Sequence, residues 1–342
     1  MLYFNCDYNE GAHPQVLDRL CETNMEQTSG YGEDSYCERA REVIRGLCGN
    51  DKLGVHFLVG GTQANLTVIA AALRSHQGVL AAESGHIHVH ETGAIEACGH
   101  KVLTVPSENG KIAARQVEEV YRSHVEDESF EHTVQPKMVY ISNPTELGTI
   151  YSKVELEELS AVCKRNDLYL FMDGARLGYG LTAEGNDLDL KTISKLCDVF
   201  YIGGTKVGAL FGEAVVIANP VLQKDFRYII KQKGGMLAKG RLLGIQFLAL
   251  LENGLYFELG KRANGMADKI RLACRKAGYL LLIENTTNQI FVVMPDSKLD
   301  KLREKYAFSY QQRIDESHSA VRFCTSWATM EENVQKLAED IL

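Results

Sequence analysis

The 342-residue chain has one tryptophan and six prolines, and none of its nine cysteines forms a CxxC pair. Scattered thiols in odd number exclude a disulfide framework and a zinc knuckle, and fit a reduced, cytoplasmic protein. No apolar run approaches the roughly 20 residues that span a bilayer. The opening "MLYFNCDYNEG" has neither the basic nor the apolar region of a signal peptide. Long basic stretches are missing too and the net charge is −8, which argues against nucleic acid or an acidic membrane as a partner. There is no GxGxxG and no P-loop, so neither NAD nor ATP binding is indicated. Internal repeats and low-complexity tracts are also absent.

What is present is ordinary globular composition, 45% hydrophobic and 24% charged, in a chain longer than one compact domain usually is. Strand-like and helix-like runs alternate. "QGVLAAES", "KVLTVPSENGKI", "KMVYISNP", "LYLFMDGAR", "VFYIGGTK" and "GEAVVIANP" read as strands. "GTQANLTVIAAALR", "VELEELSAVCKRND" and "LKTISKLCD" read as helices between them. Strands apolar on both faces predict an α/β fold with a mostly parallel sheet covered by helices. From about residue 221 the pattern turns helical, and a long helix leads into a small α+β tail. The expected division is a large domain over 1–245, with an N-terminal arm at about 1–30, and a small one over 246–342.

Four features could carry chemistry. In "FYIGGTKVGALFG", Lys206 follows a buried strand and two glycines, where open α/β sheets build ligand crevices. A poorly solvated lysine becomes a usable amine nucleophile, and the neighbouring glycines would leave room for a planar group; the bland alternative is a lysine that snorkels into solvent. In "FMDGARLG", Asp173 ends a buried strand, so it either pairs with Arg176, caps the next helix, or meets a protonated heterocycle. In "LVGGTQANL", Gly60, Gly61 and Thr62 open a helix and offer backbone N–H groups to a phosphate-sized anion. In "ESGHIHVHETGA", a strand would put His86, His88 and His90 on one face as a metal cluster, with Glu91 as a further ligand. A loop entering a helix would break that period, leaving one ring to face a cofactor. A phosphate, a pyridinium and an aldehyde on one molecule would satisfy all four, and pyridoxal 5′-phosphate is that molecule.

The tracts "HFLVGGTQANL", "GHIHVHETGA", "FMDGARLGYGL" and "YIGGTKVGALFG", with "FNCDYNEGAHPQVLDRL" and "YGEDSYCERAREVI" before them, resemble the low-specificity threonine aldolase and β-eliminating lyase family over nearly the whole chain. The resemblance implies the aspartate-aminotransferase fold (fold type I) and pyridoxal phosphate as cofactor. It implies that Lys206, with Thr205 beside it, forms the Schiff base and that Asp173 keeps the ring nitrogen protonated. Gly61 and Thr62 would hold the phosphate, and His86 would stack on the ring. Arg176 would sit near the cofactor O3′ and the substrate, and Arg322 in "VRFCTSW" would bind the α-carboxylate. The implied reaction cleaves a β-hydroxy-α-amino acid to glycine and an aldehyde, with no metal. The implied assembly is a homodimer or homotetramer with shared sites, to which Tyr31 of "GYGED" would contribute.

The chain departs from the family in three places. Glu146 in "PTELG" stands where many members have histidine, Cys6-Asp7-Tyr8 replaces Ser-Asp-Thr, and Lys239 and Arg241 compete for the role of an arginine that reaches a neighbour's phosphate. The alternatives are other pyridoxal chemistry on amino acids (β-elimination, transamination or racemisation), a metal-dependent hydrolase built on the three histidines, and an inactive scaffold.

Overall fold

A strand that buries both faces needs helices on each side, and the central strands of this chain meet that condition residue by residue. The computed structural model describes residues 1–342. Its strands are β1 (Leu2–Tyr3), β2 (Gly54–Leu58), β3 (Gln77–Ala82), β4 (Lys101–Val105), β5 (Gln135–Ser142), β6 (Tyr169–Asp173), β7 (Val199–Gly203) and β8 (Glu213–Ile217). After them come β9 (Leu281–Ile283), β10 (Gln289–Pro295), β11 (Tyr306–Ala307), β12 (Ser309–Arg313) and β13 (His318–Cys324). The main sheet has seven strands in the order β2-β8-β7-β6-β5-β3-β4. Six strands share one direction, and β8 alone runs antiparallel to both neighbours. Val139, Ile141, Leu170, Met172, Phe200 and Ile202 point into one apolar layer. Their neighbours Met138, Tyr140, Phe171, Val199 and Tyr201 point into the other. This is the helix-covered, mostly parallel sheet that the apolar runs predict.

Helix boundaries follow local chemistry. Ser152 and Glu155 form a reciprocal capping box at the start of helix Lys153–Arg165. Asp189 caps Leu190–Leu196 through the Thr192 N–H. The helical stretch expected as one long element is broken. Arg241–Leu251 ends before Gly254, whose φ of 77° no helix interior tolerates, and Leu255–Lys276 then starts at a 68° bend. No single helix is long and apolar enough to cross a membrane.

A second sheet, β12-β13-β10-β9, is fully antiparallel. Ile290, Val292, Val321 and Phe323 pack with Ile270 and Cys274 of helix Leu255–Lys276 and with Val334, Leu337 and Ile341 of helix Glu331–Ile341. The N-terminal segment is sewn onto this layer. β1 pairs with β11, the Phe4 N–H donates to the Ala307 carbonyl, and the Cys324 N–H donates to the Phe4 carbonyl.

The glycines flanking the strand ends have a packing role that their sequence position does not reveal. A Cβ on Gly174 would lie 1.8 Å from the Tyr201 carbonyl oxygen, and one on Gly203 would lie 2.4 Å from the Ala175 carbonyl oxygen. These residues let the turns after β6 and β7 touch backbone to backbone, rather than clearing room for a planar group. Real Cβ atoms do not approach so closely, and the obstacle is backbone. Gly174→Ala should therefore cost about 3 kcal/mol or more. Thermal unfolding checks this: a variant melting within a degree or two of the wild type would contradict the close approach.

Candidate active site

The carboxyl ends of the parallel strands, where open sheets bind ligands, carry the residues singled out from the sequence. Lys206 lies three residues beyond β7, in a turn fixed by hydrogen bonds along its length. The Gly203 N–H donates to the Gly174 carbonyl, and the Gly204 and Thr205 N–H groups donate to the Gly212 carbonyl. The Tyr256 hydroxyl donates to the Gly203 carbonyl at 2.9 Å, and the Tyr179 hydroxyl donates to the carbonyl of Lys206 itself. The Lys206 side chain is half-buried, with Nζ 6.0 Å from the centre of the Tyr8 ring. Burial, with the Arg176 charge adding to it, lowers its pKa against the opposing pull of Asp7, Asp173 and Glu213. A lysine with reduced proton affinity is a better nucleophile near neutrality.

Asp173, 4% exposed at the end of β6, does not pair with Arg176. Its carboxylate is held by neutral donors: the Tyr140 hydroxyl at 2.6 Å, Asn65 Nδ2 at 3.1 Å and the Ala175 N–H at 2.9 Å. Burial pushes its pKa up, but the Tyr140 hydroxyl foremost, then the nearby Tyr201 hydroxyl and the Ala175 N–H, outweigh burial and hold it below the ordinary value. Asn65 Nδ2 also donates to Glu91 Oε1 at 2.7 Å, and that same oxygen meets His86 Nδ1 at 2.7 Å. On the other side, the Ser142 hydroxyl lies 3.4 Å from the Tyr140 oxygen and donates to Glu146 Oε1 at 2.7 Å. Glu146 Oε1 then accepts the His86 backbone N–H at 2.9 Å. A nearly closed circuit thus joins His86 to Asp173 through buried groups.

The histidines do not form a ligand face. Residues 86–89 make a helical turn, so the alternation expected of a strand is absent. The His90 ring is tilted against that of His86 at 5.6 Å, and no three acidic, histidine or cysteine side chains converge as metal ligands.

Helix Gly61–Ala72 follows β2. Its N-cap, Gly60, has no side chain to cover the first-turn N–H groups, and a Cβ there would meet nothing within 4 Å. Open N–H groups at a helix start favour an anion. The Tyr201 hydroxyl makes no hydrogen bond of ordinary geometry, and a Cβ on Gly61 would come within 3.1 Å of it. Pyridoxal phosphate fits this donor set. It pairs an anion for the helix start and a cationic ring nitrogen for a buried carboxylate otherwise served by neutral groups. Its aldehyde matches a half-buried lysine of lowered proton affinity.

Arg176 lies next to this constellation, already paired. Its Nε and Nη2 donate to the two oxygens of Asp7 at 2.6 and 3.0 Å, and Asn288 Nδ2 adds a bond at 2.9 Å. Burial alone would raise the Asp7 pKa, yet Arg176 and Lys206 bring it down to about 2. Arg322 projects from β13 and donates to Gln289 Oε1 and the Asn5 carbonyl, while its Nε is buried without a partner. The Thr205 hydroxyl is turned to Glu213 at 2.8 Å.

Two expected residues lie elsewhere. Tyr31, at φ 60°, packs under Lys231 Nζ at 4.9 Å and donates its N–H to the Ala238 carbonyl. Arg241 is held by the carbonyls of Asn24 and Glu26 in its own chain, whereas Lys239 is exposed. Residues the sequence did not single out are Asn65, Tyr140, Tyr201 and Glu213. The Asn65 signal was available in hindsight, since an asparagine one turn into an otherwise apolar helix needs polar partners.

Solved aspartate aminotransferases of Thermus thermophilus superimpose on the whole chain with a TM-score of 0.73 at 15–16% identity, covering 92% of those chains. Such likeness defines the class: a protein of the aspartate-aminotransferase fold, fold type I. The family model for beta-eliminating lyases matches residues 7–297, and the chain belongs to that family. It is 32% identical to the low specificity L-threonine aldolase of a Pseudomonas species over 99% of this chain and 96% of that one. The Leishmania major threonine aldolase structure matches at 43% identity and a TM-score of 0.97, covering 100% of this chain and 98% of that one.

The Asp7–Arg176 pair yields a pH-dependent prediction. A folded pKa of about 2 against an ordinary 3.8 means that Asp7 stabilises the fold fully above pH 3.8 and loses that contribution as pH falls toward 2. Asp7→Asn should lower stability by about 2–4 kcal/mol at neutral pH, because Arg176 keeps a buried charge without its anion. The variant's loss should shrink progressively below pH 4. Urea unfolding at pH 7 and at pH 3 tests this, and an equal loss at both values would refute it.

Proposed function

We propose that this chain is a pyridoxal phosphate-dependent aldehyde-lyase that cleaves small β-hydroxy-α-amino acids, threonine or allo-threonine, to glycine and an aldehyde. One observation carries the reading: a lysine of lowered proton affinity and a buried carboxylate without a cationic partner stand at the ends of adjacent strands β7 and β6. The likeness to the Leishmania major threonine aldolase supports the substrate class.

Bound here, pyridoxal phosphate would supply a protonated pyridine ring that draws electrons from the bond broken at the α-carbon. Asp173 would hold the proton on the ring nitrogen, because a carboxylate below its ordinary pKa in a buried place favours a cation beside it. Gly61 and Thr62 would hold the phosphate at the helix start. Lys206 would carry the cofactor and release it to the incoming amino group, its backbone kept in place by Tyr179 and Tyr256. His86 would lie against the ring, fixed by Glu91 at Nδ1 and by Glu146 at its N–H.

Arg322 would take the substrate carboxylate. Its unpartnered Nε and half-buried position leave donors for a planar anion, and fixing that anion would select which bond at the α-carbon is broken. Arg176, neutralised by Asp7, would form the wall beside the carboxylate site. Glu146 is accounted for by bracing: Oε1 is shared by Ser142 and His86, and burial raises its pKa. The exposed Tyr31 surface, with Lys239 and Lys231 nearby, would face a second copy of the chain and complete its site.

Two experiments test the reading. Purified protein given pyridoxal phosphate should gain a visible absorbance band and convert L-threonine or L-allo-threonine to glycine and acetaldehyde. Lys206→Ala should lose both. A Lys206→Ala protein that keeps band and turnover would sink the proposal. Arg322→Gln should keep the band while KM for threonine rises about 10- to 100-fold, as expected on losing charge-assisted hydrogen bonds to a carboxylate; an unchanged KM would remove Arg322 from the substrate site.

A further inference from the structure

Glu213 begins β8, paired in register with Gly203 at the end of β7, and is 3% exposed. A buried carboxylate normally has a cationic partner, yet no lysine, arginine or histidine forms an ion pair with it. Its bonds go to the two residues before Lys206. Oε1 accepts the Thr205 hydroxyl at 2.8 Å and Oε2 accepts the Gly204 N–H at 3.2 Å. Thr205 Oγ1 in turn accepts the Gly212 N–H at 3.0 Å, so its hydroxyl is occupied on both sides. The charged groups acting on Glu213 are Lys206, which lowers its pKa, and Asp173, which raises it. Burial dominates and carries the carboxyl up to about 8. Glu213 also acts on the Tyr201 hydroxyl from β7 and on the Tyr256 hydroxyl from helix Leu255–Lys276, raising both. Burial and then Arg176 lower the Lys206 pKa, against the pull of Asp7, Asp173 and Glu213 in that order.

We propose that Glu213 is a positioning residue for Lys206: it fixes the turn that carries the lysine and sets an ionisable carboxyl within electrostatic reach of the amine. The proposal rests on reading Lys206 as the residue that carries the cofactor. A lysine that alternates between bound and free forms needs a neighbour that stabilises its protonated state without binding it tightly. A carboxyl tied to backbone N–H and a hydroxyl, rather than to the ammonium itself, meets that need. The same carboxyl makes the strand pair β7–β8 part of the site, which explains why this interior strand begins with a buried acid.

The test is Glu213→Gln, which keeps the shape and removes the ionisable carboxyl. Around and above pH 8, where that carboxyl is ionised, its loss makes the lysine easier to deprotonate. The visible band of the cofactor-loaded protein, titrated from low to high pH, should therefore change form about one pH unit lower than in the wild type. At the pH optimum kcat for threonine should fall at least about tenfold while KM stays within about threefold, and Glu213→Asp should recover part of the loss. A wild-type titration and wild-type kcat in Glu213→Gln would overturn the proposal, as would a loss confined to melting temperature. If Glu213→Gln does not fold, Thr205→Val breaks the same link and leaves the charge. A fall in kcat with the titration unmoved is then expected, and an unchanged kcat overturns it. Should the wild-type chain take up no pyridoxal phosphate, the functional reading fails by itself. The pH dependence of Lys206 acylation in the cofactor-free full chain, compared with that of Glu213→Gln, still decides whether Glu213 governs the amine: a lower midpoint in the variant supports it, and identical midpoints overturn it.

Discussion

A carboxylate buried at the end of a central strand sets conditions that much of the surrounding structure meets. Asp173 stays charged away from water because Tyr140, Asn65 and the Ala175 N–H each give it a hydrogen bond, and such groups cost free energy if any is left unpaired. Each donor is itself constrained. Tyr140 must come from the strand next door, and Asn65 must come from the first turns of the helix that opens after β2. Asn65 also serves Glu91, which fixes the ring of His86. The histidine-bearing turn, the helix start and two strands are therefore placed by one charge. Networks of this kind act as a unit, since each bond polarises the next.

The second constraint joins the two sheets. Asp7 receives Arg176 from the turn after β6 and Asn288 from the segment entering β10. Arg322, on β13, reaches the Asn5 carbonyl two residues before Asp7. The site is accordingly walled by the large sheet on one side and by the antiparallel layer on the other, with the N-terminal segment between them. A buried arginine–carboxylate pair contributes little net stability compared with an apolar replacement, but loss of one member alone is costly. Its geometry is what keeps two guanidinium groups at one edge of the site without mutual exclusion.

Much of this was readable in the amino-acid sequence. Continuous apolar runs of five to eight residues gave the strands, because a strand covered on both faces leaves no polar alternation to obscure it. Lys206, Asp173, Gly61 and His86 stand out because each breaks such a pattern at a strand or helix end. Other features were hidden for physical reasons. Glu213 looks like the polar start of an edge strand until its partner Gly203 is known to lie inside the sheet. Asp7 reads as one acid in a polar N-terminal stretch, since only the fold brings Arg176 to it across about half of the chain. The His86–His88–His90 alternation imitates a metal face because the periods of a strand and of a single helical turn cannot be told apart over four residues. Gly203 reads as ligand clearance, whereas backbone contact with the turn that carries Gly174 is the reason for it.

The seam between β1 and β11 bears on how the protein comes into being. Leu2 and Tyr3 leave the ribosome long before the strand they pair with, Tyr306–Ala307, has been made. During translation the leading residues have nowhere to dock, while the seven-stranded layer can already assemble, as nascent chains tend to fold from the amino end onward. Asp7 travels with that undocked leader, so Arg176 waits without its counter-ion until the last layer forms. A chain made only as far as the large sheet would hold the strand ends of the crevice without its counter-ion, and the crevice matures once the antiparallel layer has closed over it.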